Sequence, residues 1–243
     1  MLDMSQEPRK SSLRHDYTAI SSDYDEARFS GWSGEFLSRA DATIVQELVA
    51  LVHPSVVADM PIGTGRVAEY LQSSNVQVIG CDLTLAMLDR TRKRNPPNLR
   101  GLVQCDASSL PFSDNSLDCI TCLRFFHLFP PHERHHFVSE FERVLRPGGY
   151  LIVSFTNGWY AGGLNWIRKA IGQRTVFFQY RHEMARLFRG WSVLALRGNF
   201  LPFQRYLSKC APLAERLGFI LTSLPPFNRL CWERFYLLRL DKK

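Results

Sequence analysis

The sequence predicts an α/β fold: a doubly wound sheet of seven strands, mostly parallel with one antiparallel strand late in the chain, plus a helical cap. Three observations predict it. Short apolar runs alternate with amphipathic helical runs from Val56 to Phe155, which is the rhythm of strand–helix–strand units in a parallel sheet. A glycine turn, Gly63-Thr64-Gly65, follows the first apolar run at once, as where a strand passes directly into a helix. After Thr156 the rhythm changes to aromatic and basic helical stretches, with two further strand patterns among them.

Element by element, Phe36, Leu37, Ala40, Ile44, Leu48 and Leu51 recur at helical spacing between Gly34 and Val52, and Pro54 stops that helix. Val56 to Met60 is a short buried strand, and a helical run follows the glycine turn through Leu71. Val76 to Cys81 repeats the strand, and Leu85 to Arg94 is a helix with Thr84 as its N-cap, ending before Pro96-Pro97. Leu102 to Cys105, Leu117 to Leu123 and Tyr150 to Phe155 are further strands. A helix from Glu133 to Leu145 precedes the last of these, with Gly148-Gly149 as the turn between them. Ser192 to Leu196 and Arg234 to Leu240 complete the set and bracket a helical insertion.

With 243 residues, 45% hydrophobic and 22% charged, the chain reads as one ordinary globular domain. Residues 1–16 form a flexible leader, 17–156 the core, and 157–243 the cap and last strands of the same domain. The leader carries Arg9, Lys10, Arg14 and Asp16 and no apolar run, so it reads as neither signal peptide nor anchor. No stretch approaches the roughly 18 apolar residues of a spanning helix. A cytoplasmic location is expected. The six cysteines lie mainly in apolar surroundings, and Cys119-x-x-Cys122 falls inside a strand pattern without a second pair, which favours buried thiols over a zinc site or disulfides.

Charge is unevenly spread. Residues 157–243 carry 15 Lys and Arg against 4 Asp and Glu, whereas residues 1–156 carry 15 against 19. A basic tail suits an anionic partner or a solvated surface equally well.

In an open parallel sheet, ligands bind beyond the C-terminal strand ends, near the switch in strand order. At the first strand end stand Asp59 and then Gly63-Thr64-Gly65, whose missing side chains let a ligand approach the backbone. At the second stands Asp82, an acceptor for both hydroxyls of a ribose, followed by Leu83. The glycine turn itself is unselective, because Gly63-Thr64-Gly65-Arg66-Val67-Ala68 also satisfies the G-x-G-x-x-A pattern of NAD-type folds.

Three segments carry a resemblance: Val56 to Arg66 (VVADMPIGTGR), Val78 to Asp82 (VIGCD), and Leu102 to Phe112 with its Asp106-Ala107 and Leu110-Pro111-Phe112. In them the chain resembles the class I S-adenosylmethionine (SAM)-dependent methyltransferases, particularly those of the ubiquinone and biotin pathways. Ser116-Leu117-Asp118 and Arg143-Val144-Leu145-Arg146-Pro147-Gly148-Gly149 extend the match, which runs from about Tyr24 to Phe155. Pro61 departs from it, where the family more often has glycine. The resemblance implies a Rossmann-like fold and SAM as cofactor. It implies that Asp59 helps hold the methionine end, that Asp82 with Leu83 holds the ribose, and that Asp106 with Ala107 receives the adenine. It further implies Tyr24 as a lid residue, with Arg124 in the same site.

Methyl transfer needs geometry above all, and a general base only where the nucleophile arrives protonated. His127, just after the fourth strand, is the candidate base, beside a packing role. His132-Glu133-Arg134-His135-His136 contains H-E-x-x-H, but it opens a helix after Pro130-Pro131 and has no downstream third ligand, so a solvated helix face is favoured and no metal is expected. The aromatic and basic cap, Trp159 to Tyr180 and Asn199 to Leu217, suits a small hydrophobic or aromatic acceptor with an acidic group, or forms its own core. Gly163 to Lys169 also suits contact with an anionic membrane. Nucleic acid is disfavoured, since there is no N/D-P-P-Y tetrad and no recognised RNA-binding module. Beside the methyltransferase stand two alternatives, a non-catalytic SAM-binding protein and an NAD-type oxidoreductase.

Overall fold

The computed structural model describes residues 17–72, 74–158, 181–199, 222, 224–225 and 227–241. Leader residues 1–16, Cys210 and nearly all of the two cap segments, with Gly163 to Lys169 among them, lie outside the described residues.

The elements run α1 (Tyr24–Phe29), α2 (Gly31–Ala50), β1 (Val56–Asp59), α3 (Arg66–Tyr70), β2 (Gln77–Asp82), α4 (Leu85–Arg94), β3 (Leu99–Gln104) and β4 (Leu117–Cys122). A 3-10 turn (Phe126–Leu128), α5 (Arg134–Val144), β5 (Leu145–Thr156), α6 (Arg181–Leu187), β6 (Trp191–Gly198), a second 3-10 turn (Phe227–Leu230) and β7 (Glu233–Leu240) follow. One seven-stranded sheet has the order β3-β2-β1-β4-β5-β7-β6. The strands from β3 to β5 pair in parallel, and β7 runs antiparallel to both β5 and β6. This is the Rossmann-like sheet with one antiparallel late strand that the sequence predicts. The chain starts at β1 and winds outward both ways, so the order reverses between β1 and β4. Ligands of such sheets bind at that crevice.

Two apolar layers hold the sheet. One packs Leu48, Val57, Val67, Val78 and Leu237 on one face; the other packs Ile120, Phe126, Phe141, Leu151 and Phe155 on the opposite face. Both Cys119 and Cys122 are fully buried in β4, as thiols. Among the described residues, no helix is long and apolar enough to cross a membrane.

Two local differences have physical causes. The glycine pair is not a turn ahead of the strand: β5 already begins at Leu145, and β4 advances from Leu117 to Cys119 while β5 advances from Leu145 to Tyr150. Arg146 to Gly149 therefore form a bulge, with Gly148 left-handed at φ 80°. Thr84 occupies the N-cap of α4 but makes no side-chain cap bond; its own N–H donates to Asp82 Oδ1 at 2.9 Å instead. The helix after the glycine turn, five residues long with Leu71 as its C-cap, ends where the sequence predicts.

Gly34 marks a close approach between α1 and α2, because a Cβ there would lie 2.2 Å from the Phe29 carbonyl carbon. Since Phe29 backbone must move to admit it, Gly34→Ala should destabilise the fold by about 1–3 kcal/mol, read as a lower denaturation midpoint in urea. An unchanged midpoint would contradict that packing.

Candidate functional site

The C-terminal strand ends open onto one cavity. Tyr24, Gly63, Thr64, Asp82, Leu83, Asp106, Ala107 and Arg124 all line it. Asp59, Gly65 and His127 do not.

Backbone bonds from the flanking strands hold the first-strand turn. Met60 N–H donates to Thr121 O at 2.9 Å, Ile62 N–H to Cys81 O at 2.8 Å and Gly65 N–H to Ile62 O at 3.0 Å. Pro61 therefore sits between two paired residues, and its missing N–H leaves no gap in the ladder. Its peptide bond with Met60 is cis. The two glycines serve different needs. Gly63, at φ 57°, has nothing within 4 Å of where a Cβ would stand, so that space is open to a ligand. Gly65, at φ 84°, has Thr91 Cγ2 2.9 Å from its Cβ position, so it is excluded by packing.

Asp82 ties the turn to β2. Its Oδ2 accepts from Gly63 N–H and its Oδ1 from Thr84 N–H, both at 2.9 Å. Burial pushes its pKa up to about 6, against the opposing pull of these N–H donors. Asp59 stands behind the wall. It is 1% exposed, its Oδ1 accepts from the Thr121 hydroxyl at 2.6 Å, and its Oδ2 has no partner. Burial raises it to about 7, with Thr121 opposing and Asp82 adding to the rise.

Beyond β3, Asp106 Oδ1 accepts from both the N–H and the hydroxyl of Ser108 at 2.8 Å. The loop that follows is clamped from α5. Glu140 accepts from Leu110 N–H at 2.8 Å, and Arg143 donates to Leu110 O and Phe112 O at 2.9 Å. After β4, Arg124 adopts φ 54°, and its N–H donates to Ser154 Oγ at 2.8 Å. A left-handed non-glycine residue costs on the order of 1–3 kcal/mol and is retained where the surroundings over-determine it. Here they do: Arg124 also pairs with Asp41 and Glu233. His127 is half-buried in the 3-10 turn that follows, between Phe126 and Leu128.

The N-terminal segment packs over the glycine turn. Asp25 accepts from the Thr64 hydroxyl at 2.7 Å and pairs with Arg94, which also pairs with Glu69. Arg66 lies 3.6 Å over the Phe29 ring and bonds Ser38 and Tyr70. Tyr24 packs between Tyr17 and Phe29, at ring distances of 6.1 and 6.3 Å. The opposite wall is aromatic: Phe125, Phe129 and Phe137 sit 4.6–5.0 Å apart, centre to centre. The H-E-x-x-H residues lie apart from the cavity, His132 with a 79% exposed side chain beside a largely buried Glu133.

Sequence reasoning missed Asp25, Asp41, Arg66 and the phenylalanine wall. Asp41 left a signal: it falls on the apolar stripe of its helix, four residues after Leu37 and three before Ile44, where a charge is out of place.

The family model described as "Methyltransferase domain" matches residues 58–153, the stretch that contains the glycine turn, Asp82, Asp106 and Arg124. That match covers less than half of the chain. Among curated relatives, the demethylmenaquinone methyltransferase of Renibacterium salmoninarum is 34% identical over 111 residues, 46% of this chain and 45% of that protein. The tRNA (carboxymethyluridine(34)-5-O)-methyltransferase ALKBH8 of Mus musculus is 32% identical over 139 residues, 56% of this chain and 18% of that protein. The chain thus spans less than half the length of these relatives. Among solved structures, magnesium protoporphyrin IX methyltransferase from Synechocystis with bound SAH superposes at TM-score 0.68 and 15% identity, covering 96% of this chain and 100% of that one. Phosphoethanolamine N-methyltransferase 1 from Haemonchus contortus does so at TM-score 0.70 and 16% identity, covering 99% and 50%. These superpositions support the fold of the sheet.

The buried carboxylate behind the wall gives a signed pH dependence. With Asp59 near 3.8 unfolded and about 7 folded, its protonated form stabilises the fold fully below pH 4, and that stability is lost as pH rises through 7. Asp59→Asn keeps an acceptor for Thr121, so it should match the parent near pH 4 and exceed it by roughly 4 kcal/mol above pH 7. Chemical denaturation at the two pH values checks this; a difference that does not grow with pH contradicts it.

Proposed function

We propose that the chain transfers a methyl group from SAM to an O, N or C nucleophile of a small hydrophobic or aromatic acceptor. The observation that carries this reading is the order of groups along one cavity wall: Asp106 after β3, Asp82 at the end of β2, Gly63 after β1 and Arg124 after β4. Neighbouring strands stand about 4.8 Å apart, so these groups span roughly 14 Å, a length that suits an extended nucleoside carrying an amino acid. The open space above Gly63 is a fit for a ligand drawn close to the backbone.

In this reading Asp106, with Ala107 beside it, receives the adenine amino group, and ionised Asp82, with Leu83, takes the ribose hydroxyls. The amino-acid end lies over Gly63 toward Arg124, under Tyr24. Asp59 acts through its field and its tie to Thr121 rather than by contact. The brevity of α3 supports SAM over a dinucleotide, because a pyrophosphate draws on a strong helix N-terminus and SAM has no phosphate. When bound, SAM supplies an activated methyl on its sulfonium. The chain's own work is to orient the partners and exclude water, with the Phe125, Phe129 and Phe137 wall offering an apolar surface to the acceptor. His127 is the candidate base for a protonated nucleophile. The basic stretch Gly163 to Lys169 is proposed to meet anionic membrane, which salt-sensitive pelleting with acidic liposomes would test.

A second acceptor class has its own support. Several relatives are named for tRNA, and residues 157–243 carry 15 basic against 4 acidic residues. Steeply salt-dependent tRNA binding would favour it.

Two site tests follow. Asp82→Ala and Asp106→Ala should each weaken S-adenosylhomocysteine (SAH) binding by about tenfold or more; unchanged affinity in both would overturn the site assignment. Since Asp82 is raised to about 6 and must be ionised to accept two hydroxyls, SAH affinity should fall as pH drops through 6. With an acceptor in hand, His127→Ala should lower kcat while leaving SAH affinity unchanged; an unchanged kcat assigns the imidazole to packing.

A further inference from the structure

At the cavity end away from Asp106, three charged side chains from distant parts of the chain meet. Asp41 comes from the middle of α2, Arg124 from the end of β4 and Glu233 from the start of β7. Arg124 pairs with Asp41 Oδ2 and, through Nε at 3.3 Å, with Glu233 Oε2. Glu233 Oε1 accepts from the Ser154 hydroxyl at 2.5 Å. Asp41 Oδ1 has no hydrogen-bond partner, although Asp41 is only 1% exposed and belongs to the cavity wall. Two carboxylates thus share one guanidinium, and one oxygen is left over.

A buried acceptor without a donor costs about 1–3 kcal/mol, and more when it is charged. A surplus buried charge adds to that cost. Water would satisfy the oxygen and leave the charge. A sulfonium would answer the charge and donate nothing. An ammonium group does both, through a charge-assisted hydrogen bond. Among the described residues lining the cavity, the other arginine, Arg66, is engaged by Ser38, Tyr70 and the Phe29 ring.

We propose that Asp41 receives the α-ammonium group at the amino-acid end of the cofactor, and that the Arg124–Glu233 pair holds its carboxylate in place for this. The proposal rests on the SAM reading above and adds a residue from the N-terminal helix, outside the stretch that matches the methyltransferase domain. Asp41 would then distinguish a nucleoside bearing an amino acid from the bare nucleoside. The surplus charge is neutralised when the ligand binds.

Calorimetry with three probes tests it: SAH, its deamino analogue, and methylthioadenosine, which keeps the nucleoside and has no amino acid. The wild-type chain should bind SAH about tenfold or more tightly than deamino-SAH. Asp41→Asn should weaken SAH by a similar factor while deamino-SAH and methylthioadenosine stay within about twofold, which also serves as the check that the variant is folded. Equal wild-type affinity for SAH and deamino-SAH overturns the proposal whether or not the variant folds. So does an Asp41→Asn variant that loses all three probes in equal measure, since the carboxylate would then be structural. If wild type binds methylthioadenosine but is indifferent to the amino group, Asp41 alone is misassigned; if it binds none of the three, the SAM reading falls as well.

Discussion

Two carboxylates, Asp59 and Asp82, stand buried at the C-terminal ends of adjacent parallel strands, and the site is organised around the cost of keeping them there. Parallel pairing of β1 with β2 brings both strand ends to one edge, and burial raises both acids. The chain meets that cost with donors. Gly63 and Thr84 give their N–H groups to Asp82, and Thr121 gives its hydroxyl to Asp59. Those bonds also fix the glycine turn, the start of α4 and the spacing of β1 to β4. The shape of the cavity floor is therefore a consequence of how its charges are satisfied.

The same logic extends outward. Opposite the acids lies the N-terminal segment, whose cohesion is ionic, with Asp25 joining Thr64, Arg94 and Arg66 across the turn. Ion pairs between partly exposed groups are weak and salt-sensitive, so this segment is held less firmly than the floor. The cavity floor is held by strand hydrogen bonds and a dense apolar core, which suits a surface that must not move. At the far end, the Asp41, Arg124 and Glu233 group joins α2, β4 and β7, so the antiparallel strand that completes the sheet also buttresses the site.

Most of this frame was legible in the sequence because strand ends announce themselves. An apolar run that stops at an acid, as at Val56 to Asp59 or Val78 to Asp82, gives both the element and the side it opens on. The positions left unread depend on long-range partners. Glu233 meets Arg124 across a separation of 109 residues, which no local periodicity encodes. Asp41 stands out as a charge on an apolar stripe, but its partner Arg124 lies 83 residues away in sequence. The bulge at Arg146 to Gly149 was read as a turn because glycines signal a break in either case, and only the register against β4 distinguishes them. His127 was correctly placed after β4, yet a 3-10 turn sets it beside wall residues rather than among them.

These acids and the open glycine turn are proposed to receive SAM rather than a dinucleotide. Titration of the purified chain with SAM, SAH and NAD in one calorimetric series tests it directly. The account predicts saturable binding of SAM and SAH to a single site and no binding of NAD. Binding of NAD alone would contradict it.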